Sequence, residues 1–200
     1  MGLILASGSP RRRNMLELAG IPITAVRPAD IDESRRPTED PIAYARRLAV
    51  EKAQARSTPG HWVLAADTIV HTDRDLFGKP RDDAEAAQVL ARLSGKWHEV
   101  TTAWCLQWGG GSPPAGGRLR FHEHTTTRVR FHTLDPVTIA NYVATGESGD
   151  KAGAYGIQGR GSVLIDEVHG SYTNVVGLPL ASVLRALAAV GFTPSERSHA

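Results

Sequence analysis

Leu3-Ile4-Leu5-Ala6-Ser7-Gly8-Ser9-Pro10-Arg11-Arg12 is the stretch from which the fold is read. Its first four residues form a continuous apolar run suited to a buried strand, and Pro10 stands where the first turn of a helix tolerates proline. Strand, tight loop and helix therefore follow one another within a few residues. The loop gathers backbone N–H groups, two hydroxyls and two guanidinium groups, a set suited to a phosphate or a carboxylate. In a plainer alternative Ser9 only caps the helix and the arginines are solvated. The loop is neither a Walker A motif, which requires Gly-Lys-Ser/Thr, nor a dinucleotide-binding G-x-G-x-x-G.

Outward from this stretch, helices and strands alternate. Met15, Leu16, Leu18 and Ala19 continue the first helix, closed by Gly20 and Pro22, and Ile23 to Val26 reads as a second strand. Asp40-Pro41 is an N-cap and first-turn pair for a helix that carries Ile42, Ala45, Leu48, Ala49 and Ala53 and runs to about Arg56. Trp62 to Ala66 is a buried strand with Asp67-Thr68 at its end and Ile69-Val70 continuing it. Asp82 or Asp83 caps a helix bearing Ala84, Ala87, Leu90 and Leu93. Val100–Trp108 and Leu119–Phe131 are β-rich, joined by a Gly/Pro connection over 109–117 to which no function is given. Asp135-Pro136 opens another helix, Val163-Leu164-Ile165 is strand-like, and Pro179 to Val190 forms the last helix. The alternation predicts an α/β fold with a mixed sheet.

Composition narrows the function classes. At 200 residues the chain is one domain or two small lobes, and 41% hydrophobic with 22% charged residues is the composition of a folded globule. The 23 basic and 21 acidic residues leave a net charge of +2, too weak a field to imply a nucleic-acid partner. The longest apolar runs fall well short of the roughly 20 residues that cross a bilayer. Arg11, Arg12 and Arg13 follow the first apolar run, whereas a signal peptide has its basic region before it. One cysteine, Cys105, makes no internal disulfide, and a reducing cytoplasm is the expected compartment. Only four of the basic residues are lysines: Lys52, Lys79, Lys96 and Lys151.

Several single residues carry potential chemistry, each beside a plainer reading. Asp67 is placed at the carboxyl mouth of a strand, where open α/β sheets bind ligands, so it could hold a divalent cation or orient water; it could also be a turn aspartate. Asp67-Thr68 lacks the second aspartate of an aspartyl-nucleophile phosphatase, since Ile69 stands there. Glu33 and Lys52 read by default as solvated residues. Lys79, in the constrained turn Phe77-Gly78-Lys79-Pro80, presents an ammonium in a defined direction, or simply decorates a surface turn. Ala154-Tyr155-Gly156-Ile157-Gln158-Gly159 suits a pocket wall with Gln158 reading a base edge, or a glycine-rich turn with Tyr155 in the core. His122 and His124 share a strand face without a third ligand, which argues against zinc.

In order along the chain, LILASGSPRR, RLAVEKA, VLAADTIV, GKPRD, LSGKWHEVTTA, DKAGAYGIQG and GSYTNVVGLPL resemble the Maf family of septum-formation-inhibitor-like nucleoside triphosphate pyrophosphatases. The likeness runs from Leu3 to about Ala189, and DKAGAYGIQG resembles the branch that prefers dTTP and UTP. It implies one α/β domain over 1–192, two lobes around a mixed twisted sheet with flanking helices and an active-site cleft between the lobes, followed by a frayed tail over 193–200. It implies that Asp67 is the catalytic proton acceptor and that Ser7, Arg11, Arg12, Glu33, Lys52, Lys79 and Gln158 line the site, with Ser9 in the same loop. Arg11, Thr68 and Gln158 match positions linked to substrate choice.

Arg11, Arg12, Lys52 and Lys79 supply positive charge for a triphosphate, and Glu33 with Asp67 supplies the hard oxygens that Mg²⁺ or Mn²⁺ takes. The expected reaction releases a nucleoside monophosphate and pyrophosphate. The resemblance also implies a homodimer and a role in cleaning modified nucleotides from the pool or in division arrest. Arg13, Lys96 and the 109–117 connection depart from the family pattern without touching a proposed site position. The alternatives are a non-catalytic nucleotide-sensing regulator of cell division and a nucleic-acid-binding module; the latter is opposed by the near-balanced charge and by an aromatic content of only 6%.

Overall fold

Residues 1–112 and 119–194 are described by a computed structural model of the chain. The first strand, β1 (Gly2–Leu5), is buried along its whole length. It pairs in parallel with β2 (Ala25–Val26) on one side and with β3 (His61–His71) on the other, Ile4 lying opposite both Ala25 and Val63. A strand covered this way reads as an unbroken apolar run.

Helix α1 (Pro10–Leu18) follows after four residues, with Pro10 in its first turn and Ser9 as N-cap. Helix α2 (Pro41–Ala55) is capped by Asp40, whose Oδ1 accepts from the N–H groups of Ile42 (2.9 Å) and Ala43 (3.1 Å). It buries Ala45, Leu48, Ala49 and Ala53, a stripe at helical spacing.

After β3 come β4 (Leu76–Phe77), α3 (Asp83–Leu93), β5 (Trp97–Trp108), β6 (Arg120–Phe131), α4 (Pro136–Val143), β7 (Ile165–His169), α5 (Tyr172–Val176) and α6 (Leu180–Ala189). The described strands form one mixed seven-stranded sheet of order β2-β1-β3-β5-β6-β7, with β4 antiparallel on β3 and β7 antiparallel on β6. With helices flanking it, this is the α/β architecture that the alternation predicts.

By internal contacts the chain divides into two units. One holds Met1–Asp67, Ala103–His124 and the chain from Gly177; the other holds Thr68–Thr102 and Thr125–Val176. The first has β1 and Leu16, Leu48, Trp62, Leu64, Trp104 and Leu187 fully buried, and Trp104 Nε1 donates to Ser182 Oγ (3.1 Å) on α6. The second packs Leu90 and Leu93 of α3, Val129 and Phe131 of β6, Ile139, Tyr142 and Val143 of α4, and Tyr155.

Four local expectations are corrected. Asp67 lies inside β3 rather than at its end. Yet β1 stops at Leu5, opposite Leu64, so Asp67 is beyond the parallel β1–β3 ladder and at the carboxyl edge of that part of the sheet. In α3 the buried set is Ala86, Leu90 and Leu93, and Ala84 is exposed. Residues Gly159–Leu164 form a 3₁₀ turn with Val163 exposed, and the strand begins only at Ile165. The second strand is two residues long, because Ile23 and Thr24 precede the register with β1. The expected tail, from residue 195, and residues 113–117 of the Gly/Pro connection lie outside the described residues.

Candidate active site

Four segments of the first unit converge on Asp67. The β1–α1 loop brings Ser7, Ser9 and Arg12. Ser7 is buried, and its Oγ accepts from Arg12 Nη1 (3.0 Å) and from the Ser9 N–H (3.3 Å). Arg12 Nε donates to the Gly177 carbonyl (2.7 Å), so its guanidinium is fixed from two sides. Ser9 Oγ faces the Arg12 N–H at 3.5 Å. Capping and anion binding are therefore compatible readings of Ser9, since the clamped arginine stands beside the same helix terminus.

Helix α2 contributes Lys52, whose Nζ lies 2.7 Å from Asp67 Oδ1 and 2.8 Å from Glu33 Oε1. Its side chain is 12% exposed and that of Asp67 11%, while that of Glu33 is 51% exposed. One partly buried ammonium thus bridges two carboxylates that come from a strand and from a loop. Glu33 and Lys52, which read by default as solvated, are paired here.

Electrostatics ties Arg12 to the same cluster. Burial pulls its guanidinium below the ordinary value, Asp67 and Glu33 oppose that change, and neighbouring half-buried Arg11 adds to it. The Tyr44 hydroxyl on α2 is raised, first by burial and then by Asp67 and Glu33.

The second unit holds the other expected positions. Thr68 Oγ1 lies 2.9 Å from Thr102 Oγ1. Lys79 is exposed, in a turn fixed by the Gly153 N–H donating to the Gly78 carbonyl (3.1 Å). Glycine is required at 153, where φ is +72° and a Cβ would stand 2.9 Å from both Val70 methyls. Gln158 is exposed, whereas Tyr155 is in the core with its hydroxyl 2.7 Å from His98 Nε2. For Tyr155 the turn-and-core alternative is the one found.

Tyr44 and Arg47 of α2, which no sequence motif singles out, also meet the segment that carries Glu33. Tyr44 Oη donates to the Glu33 carbonyl (2.7 Å), and Arg47 forks onto Glu39, whose carboxyl is pulled down to about 2 chiefly by that hydrogen bond. Their signal lay in the spacing, since 44, 47, 51 and 52 share one side of a helix.

The profile of the Maf-like protein family matches residues 2–190. The chain belongs to the Maf-like family. This Maf-like chain is 45% identical over 193 residues to a dTTP/UTP pyrophosphatase of Koribacter versatilis (strain Ellin345), covering 96% of itself and 95% of the relative. It is 48% identical over 189 residues to a dTTP/UTP pyrophosphatase of Anaeromyxobacter sp. (strain Fw109-5), covering 94% and 89%. Its fold is similar to that of a HAM1 protein from Coxiella burnetii, with a TM-score of 0.52 at 17% identity over 94% of this chain and 98% of that one. Among the described residues no helix is long and apolar enough to cross a membrane.

Proposed function

We propose that this Maf-like protein is a nucleoside triphosphate pyrophosphatase that takes dTTP and UTP and releases the nucleoside monophosphate and pyrophosphate. The observation that carries the reading is the Glu33–Lys52–Asp67 bridge beside the clamped Arg12. Relatives at 45–48% identity named dTTP/UTP pyrophosphatases support the substrate.

Asp67 is the proton acceptor in this reading. Its Oδ1 is held by Lys52, which leaves Oδ2 to take a proton from the water that attacks the α-phosphorus. Arg12, fixed by Ser7 and Gly177, offers charge that needs no reorganisation when phosphate oxygens gain charge. Ser7, Ser9 and the first N–H groups of α1 orient the phosphates. Lys52 holds Asp67 and Glu33 in place.

A divalent cation fits the donor set. Glu33 Oε1 and Asp67 Oδ1 already share one cationic nitrogen, and Mg²⁺ is commonly held by one or two carboxylates with waters and substrate phosphates as its remaining ligands. Among the described residues no cluster of three or more acidic, histidine or cysteine side chains exists to cage it. When bound, the ion supplies Lewis-acid stabilisation of phosphate charge.

Hydrolysis in ¹⁸O-labelled water tests the reaction. Label in the nucleoside monophosphate and none in pyrophosphate is expected; label in pyrophosphate or inorganic phosphate contradicts attack at the α-phosphorus. Stoichiometric nucleotide binding without turnover would favour the non-catalytic regulator instead. The resemblance gives Arg11, Thr68 and Gln158 to substrate choice and Lys79 to phosphate charge, and alanine variants scored for the dTTP-to-other-nucleotide ratio test them singly. Sedimentation of the purified protein tests the homodimer.

A further inference from the structure

Residues 32–38 are exposed without exception, so no apolar burial anchors the segment that carries Glu33. Polar contacts with one side of α2 hold it instead. The Tyr44 hydroxyl donates to the Glu33 carbonyl (2.7 Å), and Arg47 Nη2 donates to the Ser34 carbonyl (3.0 Å). Arg47 Nε and Nη2 also fork onto Glu39 Oε1 and Oε2 (2.7 and 2.9 Å), while Nη1 donates to Glu51 Oε2 (3.0 Å). The far end of the segment is closed by the Arg36 N–H on Glu39 Oε2 (3.1 Å) and by Arg36 Nη2 on Glu51 Oε1 (3.2 Å).

Two features separate these contacts from ordinary surface pairs. The side chains of Arg47 and Glu39 are only 13% and 11% exposed, so solvent screens the fork less than it screens an exposed pair. Glu33 is also fixed at two points from the same helix: Tyr44 takes its backbone carbonyl and Lys52 its carboxylate, eight residues and about two turns apart. Arg47 spends its donors on Glu39, Glu51 and Ser34, which removes it as a phosphate ligand although it is a cation on the helix that carries Lys52.

We propose that Tyr44 and Arg47 are positioning residues for Glu33, holding its carboxylate on the Lys52–Asp67 pair across a segment that has no core of its own. The proposal rests on the reading that Glu33 works in this site. A lysine at 47 keeps the charge but cannot fork onto Glu39 and reach Ser34 together.

The test is a double-mutant cycle in the full-length protein with Tyr44→Phe, Arg47→Met, Arg47→Lys and Glu33→Gln, read by steady-state kinetics at varied Mg²⁺–nucleotide and by amide hydrogen exchange over 33–39. The expected result for Arg47→Met is exchange faster by about tenfold or more, with kcat/KM falling toward that of Glu33→Gln. Tyr44→Phe, one hydrogen bond, loses roughly 2- to 10-fold, and Arg47→Lys falls between wild type and Arg47→Met. Arg47→Met added to Glu33→Gln costs nothing further, because Arg47 acts only through Glu33. Multiplicative losses in the double variant, or a fully active Arg47→Met beside an impaired Glu33→Gln, overturn the positioning role and leave the reading of Glu33 standing. A fully active Glu33→Gln overturns that reading and the proposal with it, whatever the exchange rates show.

Discussion

Replacing Asn174 by alanine takes three hydrogen bonds out of a fully buried position. Its Oδ1 accepts from the Thr102 N–H (3.1 Å), and its Nδ2 donates to the Val100 carbonyl (2.8 Å) and to Thr127 Oγ1 (2.9 Å). Thr127 keeps Ser171 as a partner on both its donor and its acceptor side, so the groups stripped of this partner are the Thr102 N–H and the Val100 carbonyl. A buried polar group left unsatisfied costs about 1–3 kcal/mol, which puts the total for the two groups at roughly 2–6 kcal/mol. For a chain of this size that is a fall in Tm of roughly 5–20 °C.

Asn174→Asp is expected to be no better than alanine. It keeps the acceptor for Thr102 but sets an oxygen against the Val100 carbonyl where an N–H stood. Alanine, unlike aspartate, leaves the Thr102 N–H without its acceptor, and the Thr102 hydroxyl meets Thr68, so substrate preference should loosen in the alanine variant as stability falls. Urea unfolding followed by far-UV circular dichroism, beside thermal scans, reads the loss. A cost below about 1 kcal/mol for alanine, or an aspartate variant more stable than the alanine one, would refute the accounting of these bonds.

Two further perturbations probe the loop and the second unit. Gly8 does not adopt a positive φ, and a Cβ there would meet only Pro28 atoms at 3.5 and 3.7 Å, ordinary contact distances. Gly8→Ala should therefore keep its Tm, or gain slightly, while losing activity because the added methyl holds the backbone away from phosphate; a displacement of about 1 Å can cost roughly 100-fold. Unchanged kinetics in that variant would remove the loop from substrate binding. His98 is buried and, chiefly for that reason, held down to about 4 from 6.5. The unfolded chain binds this proton first, so His98 lowers stability as pH falls from about 6.5 to about 4, by roughly 3 kcal/mol in all, with no further change below. His98→Gln should flatten that part of the pH–stability curve, and an unaltered curve would assign the loss to other groups.

How far the chain could be read in advance depended on whether the deciding contact was local. Asp40-Pro41 placed α2 within a residue at each end because cap and stripe are both local signals. Asp67 was found by the apolar run before it, but its place beyond the β1–β3 ladder depends on β1 stopping at Leu5, and no feature near residue 67 encodes that. Lys52 and Glu33 looked like surface residues because their bridge spans 19 positions of chain. Tyr44 and Arg47 were hidden for the same reason: on a helix read for its apolar face, the face that holds a polar loop is indistinguishable from one in water. Asn174 sits on α5, five residues long, too short for any periodicity. The family's motifs supplied what spacing could not, namely which of several equally bland charged residues belong together.

Asp67 decides the central claim. Pyrophosphate release from dTTP and UTP by wild type and Asp67→Asn, each with nucleotide binding measured by calorimetry, is the most direct measurement. The account predicts release by the wild type and a fall of at least about 100-fold in the variant, with nucleotide binding retained. A variant that binds and still releases pyrophosphate at the wild-type rate would contradict it.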